Sequence, residues 1–282
     1  MDSVVVFAAN PSAFSTSETN HGVEAAARKR RFLLNIVSLD ESDMDSVKAR
    51  VRMGLSIRPA GVIVYEYDRA GIAALEYIPK DMPMVVVGGS FGDGEYQVIN
   101  AERDGGRWMT MHLLDLGHRT VFHVGRPEGP TDNTRTNGWR DALKERGVTA
   151  PDPIIVPDDD LEESVKAGRT LGRRGDVTAI FAGNDETAIA VIRGLREVGR
   201  RVPADVSVVG FDDRNFGAMW NPALTSYTQN FLDMGERSFR MLFEQIQAKR
   251  AGDDAPPSQV EVVQGKPCLR ASERAYGDGE IA

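Results

Sequence analysis

Residues Ala179–Asp213 read AIFAGNDETAIAVIRGLREVGRRVPADVSVVGFDD. Two short apolar runs, Ala179–Ala182 and Val206–Gly210, have strand length and strand composition. Between them Asp185–Val198 has helical character, with Ile189, Ile192 and the Leu195–Val198 pair recurring at three- and four-residue steps. Gly199 supplies a stop and Pro203 blocks continuation. A strand–helix–strand unit of this kind places its strands parallel and adjacent. Ligands of open parallel sheets bind at the carboxyl ends of strands. The polar residues at those ends, Asn184 and Asp212, are therefore expected to face one pocket. The competing reading makes Asp185 a helix cap and the other acids caps of loops.

The same alternation runs outward in both directions. Toward the N-terminus, strands are expected at Val4–Ala8, Leu33–Val37, Gly61–Tyr65, Met84–Val87 and Gln97–Asn100. Helices are expected at Gly22–Arg31, Asp43–Ser56 and Ile72–Ile78, with Asn10–Asn20 a polar loop holding Phe14. Asp104 reads as the N-cap of a helix ending at Leu116, and Thr120–Val124 as a strand. Arg135–Arg146 reads as a helix with Trp139, Ala142 and Leu143 turned inward, followed by a strand at Ile154–Val156 and a helix at Glu162–Arg173. Beyond the central unit lie a long helix, Leu232–Ala248, a linker at Asp253–Ser258, a strand at Gln259–Gln264 and a frayed tail from Gly277. Such alternation predicts an α/β protein with parallel sheets covered by helices on both faces. A chain of 282 residues suits two lobes of roughly 100–150 residues each.

A net charge of −8 argues against a chain that grips a phosphate backbone by itself. Cys268 is the only cysteine, so neither a disulfide nor a cysteine metal cluster is expected, and the cytoplasm is the natural compartment. The start of the chain has no signal-peptide pattern, and no apolar run is long enough to cross a bilayer. His21, His112, His118 and His123 lack the spacing of a helical metal site. There is no Gly-x-Ser-x-Gly elbow, and Gly88–Gly94 lacks the lysine of a phosphate loop. The acids at Asp158–Asp160 and Asp212–Asp213 could form an acid/base pair, but neighbours on a loop more often cap amides. What remains is a set of hydrogen-bonding groups at strand ends: Tyr65, Arg135, Asn184, Asp212 and Gln229. Phe14, Phe216, Trp220 and Phe231 could cover the apolar faces of a ligand rich in hydroxyls. With no nucleophile, metal or cofactor motif, the pattern is that of a binding module and not an enzyme.

Five runs, taken in order, resemble one family. They are DGGRWMTMHLLDLGHRTVFHVG (Asp104–Gly125), Arg-x-x-Gly-Trp-Arg-x-Ala-Leu (Arg135–Leu143), AIFAGNDETA (Ala179–Ala188), VPADVSVVGFDD (Val202–Asp213) and NPALTSYTQNFLDMGERS (Asn221–Ser238). They are similar to the effector-binding core of the lactose-repressor (LacI/GalR) family of transcription regulators. The resemblance implies a type I periplasmic-binding-protein-like fold. One lobe would comprise residues 1–100 plus 230–255 and the other 101–229 plus 256–276, with chain crossings near Asn100, Gln229–Asn230 and Asp254–Pro257. It implies a sugar or related polar effector in the cleft and a homodimer. Arg135 falls at the effector-contacting arginine, Asn184 at the asparagine after the strand and Asp212 at the first acid of the pair. Gln229 and Phe231 fall at hinge positions, Tyr65 at a strand end, and Phe14 in a loop of ambiguous alignment. Glu163 stands near the place where some sugar-binding members carry a tryptophan. The family's helix-turn-helix headpiece and hinge helix do not occur in these residues, so operator DNA would be met only through that missing part. Two rival readings are a periplasmic sugar-binding protein of a transporter, which shares the fold, and a hydrolase using the aspartate pairs.

Overall fold

Val4, Val5, Val6 and Phe7 are completely buried, and their alternation feeds two separate cores. Val4, Val6 and Ala8 enter one, Val5 and Phe7 the other. A strand buried on both faces is the mark of a sheet covered twice by helices. The computed structural model describes residues 2–40, 42–89, 96–127, 129, 131–157 and 160–277. The expectations on the glycine-rich stretch from Ser90, on Asp158 and Asp159, and on the tail beyond Gly277 lie outside them.

The chain divides into two compact units. The first begins with β1 (Asp2–Ala8), α1 (Phe14–Lys29), β2 (Phe32–Ser38), α2 (Met44–Ser56), β3 (Gly61–Glu66), α3 (Arg69–Leu75), β4 (Met84–Gly88) and β5 (Gln97–Asn100). The second follows with α4 (Glu102–Asp115), β6 (Phe122–Gly125), α5 (Arg135–Glu145), β7 (Ile154–Ile155), α6 (Leu161–Gly172), β8 (Ala179–Ala182), α7 (Asp185–Glu197), β9 (Ser207–Val209), α8 (Asn215–Met219) and β10 (Ser226–Thr228). The chain then re-enters the first unit with α9 (Phe231–Ala251) and β11 (Val260–Val263). It returns to the second with β12 (Lys266–Cys268).

The first unit's sheet has the order β11-β5-β4-β3-β1-β2, parallel throughout. The second unit's main sheet has the order β7-β6-β8-β9, also parallel, beside an antiparallel β10–β12 pair. Its two faces are again distinct: Ile180 and Ala182 join the core under α6 and α7, whereas Ala179 and Phe181 join the core that holds Trp139 and Leu143. The strand order reverses between β1 and β3 in one unit and between β6 and β8 in the other. Such reversal points are where ligands of doubly wound sheets bind.

Each unit is clamped by helix pairs that meet through glycine. A Cβ on Gly22 of α1 would overlap the Leu232 carbonyl of α9, and one on Gly235 of α9 would overlap the Thr19 carbonyl of α1. Reciprocal pairs join α4 to α5 (Gly106, Gly138) and α6 to α7 (Gly168, Gly194). Backbones this close exclude even a methyl group.

Several expectations shift. Asn10–Asn20 is not all loop, because α1 starts at Phe14. Its polar first turns are buried at Thr16, Thr19 and Asn20 and so read as a loop from composition alone. Asp104 is not the N-cap of α4; the helix opens at Glu102 after Ala101, and Asp104 lies within its first turn, where an acid complements the dipole. The last crossing falls after Gln264 instead of near Asp254–Pro257, since β11 continues the first sheet as a parallel neighbour of β5. The short α8, β10 and β12 carry no periodicity in the sequence.

Substituting Gly235→Ala should destabilise the first unit by about 1–3 kcal/mol, the usual cost of overpacking. Urea denaturation followed by tryptophan-independent circular dichroism reads the shift; an unchanged midpoint would show that α1 and α9 can separate freely.

Candidate functional site

α5 begins at Arg135 because Thr134 caps it, accepting from the Asn137 amide at 3.1 Å. The close approach of Gly106 to the Arg135 backbone sets that first turn against α4. The residue is 7 % exposed, and its guanidinium lies 4.2 Å over the Phe211 ring. Nε donates to Glu102 Oε2 at 3.3 Å, and Nη2 to Glu102 Oε1 at 3.2 Å. Nη2 is also 3.0 Å from Asp212 Oδ1, while Nη1 donates to the Gly183 carbonyl and to Asp212 Oδ2. Burial works against this charge, but Asp212 and Glu102 more than offset it, so its pKa lies above the ordinary arginine value.

Asp212 follows β9 and is held in the left-handed region at φ 90°, with Asp213 next at φ 51°. Two non-glycine residues there cost on the order of 1–3 kcal/mol each, and such strain gathers at functional sites. The Asp212 amide donates to the Tyr227 carbonyl at 2.8 Å, the Asp213 amide to Ser226 Oγ at 3.0 Å, and Arg270 Nη2 to Asp213 Oδ1 at 2.6 Å. Gln229, just past β10, donates through Nε2 to Asp212 Oδ1 at 2.7 Å. Arg135, Asp212 and Gln229 are therefore brought together in the second unit.

Asn184 is nearby in sequence but differently employed. Its Oδ1 accepts from the Thr187 amide at 2.8 Å and caps α7. The capping role given to Asp185 thus belongs to Asn184. Asp185 instead sits wholly buried, accepting from Ser226 Oγ at 2.6 Å and from the Arg214 amide at 2.6 Å. It ties the loop carrying Asp212 to β10.

In the first unit Tyr65 is 1 % exposed at the end of β3 and donates its hydroxyl to Asn20 Oδ1 at 2.7 Å. Burial pushes that phenol well above its usual pKa. Phe14 opens α1 and meets Phe231, the first residue of α9, edge to face at 5.8 Å. Tyr65 is thus a core residue whose polar end is already bonded.

Sequence reading missed Glu102 and Asp185. Glu102 shows as an acid in a helix's first turn, where a dipole partner is expected anyway, and nothing ties it to a residue 33 positions on. His123 is buried, stacked on Trp139 and Phe181, and bonded to the Phe181 carbonyl and Thr136 Oγ1. Desolvation holds its pKa down at about 4. Among the described residues no group of three or more His, Cys, Asp or Glu is placed to hold a metal ion, and no helix is long and apolar enough to cross a membrane.

Residues 110–272 match the family described as "Periplasmic binding protein-like domain". The chain is similar to the HTH-type transcriptional repressor PurR of Yersinia enterocolitica, with 30% identity over 253 residues, covering 87% of this chain and 72% of that protein. PurR of Proteus mirabilis is 31% identical over 251 residues, covering 86% and 72%. Among solved structures, a complex of the transcriptional regulator CelR with cellobiose aligns with a TM-score of 0.81 and 25% identity, covering 96% of this chain and 84% of that one. A dimeric lac repressor with a C-terminal deletion aligns with a TM-score of 0.83 over 97% of this chain and 100% of that one, at 23% identity.

Burial raises the Asp185 carboxyl to about 7, above its value in an unfolded chain. A raised carboxyl binds its proton more tightly when folded. Its contribution to stability is complete below about pH 4 and is lost as pH rises through about 7. Asp185→Asn should therefore gain stability relative to the parent protein between pH 5 and pH 8. Paired urea titrations at the two pH values measure this, and the comparison cancels the opposite slope of His123. A difference that does not change with pH would show that Asp185 titrates normally.

Proposed function

The chain belongs to the lactose-repressor (LacI/GalR) family as its effector-binding core, and from that premise we propose that it senses a small polar effector and controls operator binding. The observation that carries the reading is the convergence of Arg135, Asp212 and Gln229 at the strand ends of the second unit, on a backbone strained at Asp212. The family resemblance extends the ligand-binding set to Asn184 and, in the first unit, to Phe14, Tyr65 and Phe231. A sugar or related metabolite is the proposed effector class, supported by the cellobiose complex of CelR. The family regulates transcription; it does not catalyse a reaction.

The proposed output is allosteric. A helix-turn-helix headpiece joined to this core reads operator half-sites one helical turn or a multiple apart. The effector acts by binding more tightly to one of two states that differ in headpiece spacing. The protein works in the cytoplasm as a homodimer. Self-association is supported by a groove of about 580 Å³ on the second unit, lined by Leu161, Val165, Ile189, Ala190 and Trp220. Leu161 and Trp220 are 47 % and 40 % exposed. The same groove carries Glu186, Arg193, Arg196 and Glu197, so a two-fold copy can set opposite charges against each other.

A thermal-shift screen against sugars, polyols and nucleobases identifies the effector, because a ligand stabilises by mass action. With that ligand, calorimetry on Arg135→Ala and Asp212→Ala should show affinity lost by roughly 10–100-fold or more, as expected on breaking charged hydrogen bonds. Unchanged affinity would remove both residues from the site. Sedimentation of Leu161→Asp should show the dimer weakened by at least about tenfold, since an apolar anchor becomes a buried charge. A parent protein that stays monomeric at every concentration would favour the transport-type binding protein.

A further inference from the structure

Helices commonly end in a residue held in the left-handed region, and glycine suits that place because it has no Cβ. The chain follows this rule at Gly117, Gly147, Gly199 and Gly252, which follow α4, α5, α7 and α9 and all have positive φ. It departs from the rule twice. After α1 stands Arg31 at φ 62°, and after α2 stands Arg58 at φ 53°. The two helices lie on opposite faces of the first unit's sheet: Val23 and Ala27 of α1 join one core, Val47 and Val51 of α2 the other. The same strained choice of residue thus occurs twice, in separate surroundings. Strain of this kind persists where a particular side chain is needed.

Both arginines stand at one edge of that sheet. Arg31 immediately precedes Phe32, which pairs with Asp2. Arg58 lies two residues before Ala60, whose amide donates to the Ser3 carbonyl at 2.8 Å. β1 runs between β2 and β3, so the arginines flank the start of β1, each about one strand spacing, roughly 5 Å, to its side. Neighbouring cations are occupied: Arg28 by Glu24, Lys29 by Glu236, Lys249 by Asp81 and Arg250 by Asp2. Arg31 and Arg58 are exposed, and among the described residues neither side chain has a hydrogen bond, ion pair or ring contact. A cation at a helix C-terminus complements the dipole, but α1 already carries Arg28 and Lys29 in its last turn, which leaves Arg31 without that explanation. Arg28 to Arg31 are four consecutive cations, and they repel one another unless an anion lies against them.

We propose that Arg31 and Arg58 contact the phosphate backbone of operator DNA beside the half-site that the headpiece reads. The inference rests on the reading that a headpiece precedes this core. On that reading the headpiece departs from the start of β1, between the two arginines, and this edge is the one it holds toward the duplex. A core of net charge −8 does not grip DNA alone. A tethered headpiece changes the balance, because it raises the local concentration of phosphates at this edge. Within a Debye length of about 10 Å the two free guanidinium groups act on those phosphates, while acids farther away are screened. Contacts of this kind fix orientation and add affinity without reading sequence. Each neutralised phosphate adds about 0.9 to the slope of log K against log salt, equivalent to about eightfold in affinity between roughly 1 M and 0.1 M salt.

The test uses the full-length protein and a fluorescein-labelled DNA duplex of random sequence, titrated by anisotropy across a salt series. Arg31→Gly and Arg58→Gly should each lower the slope by about 0.9 for each subunit in contact and weaken binding in 0.1 M salt by about eightfold or more. The double variant should lose both contributions. Melting temperatures should stay level or rise, because glycine relieves the left-handed strain, so the lost affinity is not lost folding. Arg173→Ala, at an exposed arginine after α6 in the second unit, should change neither slope nor affinity. An equal loss in Arg173→Ala would reduce the effect to overall charge and overturn the inference. Slope and affinity unchanged in both glycine variants would refute the contacts while leaving the regulator reading in place, and a melting temperature that falls as well would assign the arginines to the fold. Binding to poly-L-glutamate that the glycine variants lose, with DNA binding intact, would give this edge to an acidic protein partner instead. A parent protein that binds no duplex DNA would bring down the regulator reading along with the inference.

Discussion

A guanidinium buried in the second unit is the constraint around which its strand ends are arranged. Removing arginine's charge from water costs several kcal/mol unless carboxylates and carbonyls replace the lost hydration. Glu102 comes from the start of α4, Asp212 from the loop after β9, and the Gly183 carbonyl from the end of β8. Three separate elements must converge for Arg135 to remain buried and charged. Once they do, Gln229 is drawn in by Asp212, and Phe211 supplies the ring beneath the cation.

Convergence of this kind needs a frame that does not drift. Much of that frame is the set of reciprocal glycine contacts between α1 and α9, α4 and α5, and α6 and α7. Each brings backbone against backbone, so the helix positions are set by atoms with no rotamer freedom. The α4–α5 contact matters most for the site, because it places the backbone of Arg135 itself beside α4, whose first residue is Glu102. On the other side of the sheet, Asp185 joins the start of α7 to Arg214 and Ser226. It thereby supports the two left-handed aspartates from behind. Local strain at Asp212 and Asp213 persists because these bonds over-determine the loop.

Reading the chain alone recovered what depends on short-range pattern. The apolar runs of β1, β3 and β8, each bounded by polar or glycine residues, mark strands covered on both faces, and the 3.6-residue recurrence in α7 marks its inward side. Arg135, Asp212 and Gln229 were legible through the motifs that flank them. Asn184 was ambiguous at that level, since an asparagine after a strand serves equally as ligand donor and as helix cap; its bond to the Thr187 amide shows the capping role. The start of α1 was not legible, because Ser15, Thr16, Ser17 and Thr19 have loop composition and become helical only where Asn20 meets Tyr65 and Phe14 meets Phe231. β10 and β12 are three residues each, too short for any period to register.

Sequence by itself determined the α/β class, the parallel order of the central unit and the family, because these follow from periodicity and from runs of residues adjacent along the chain. Only the tertiary structure decided that Glu102 shares the arginine, that Asp185 is a buried brace and not a cap, and that β11 joins the first sheet. The physical reason is the same in each case. Hydrogen-bond saturation, desolvation and strand pairing depend on distances between residues far apart in number, and local composition holds no record of those distances.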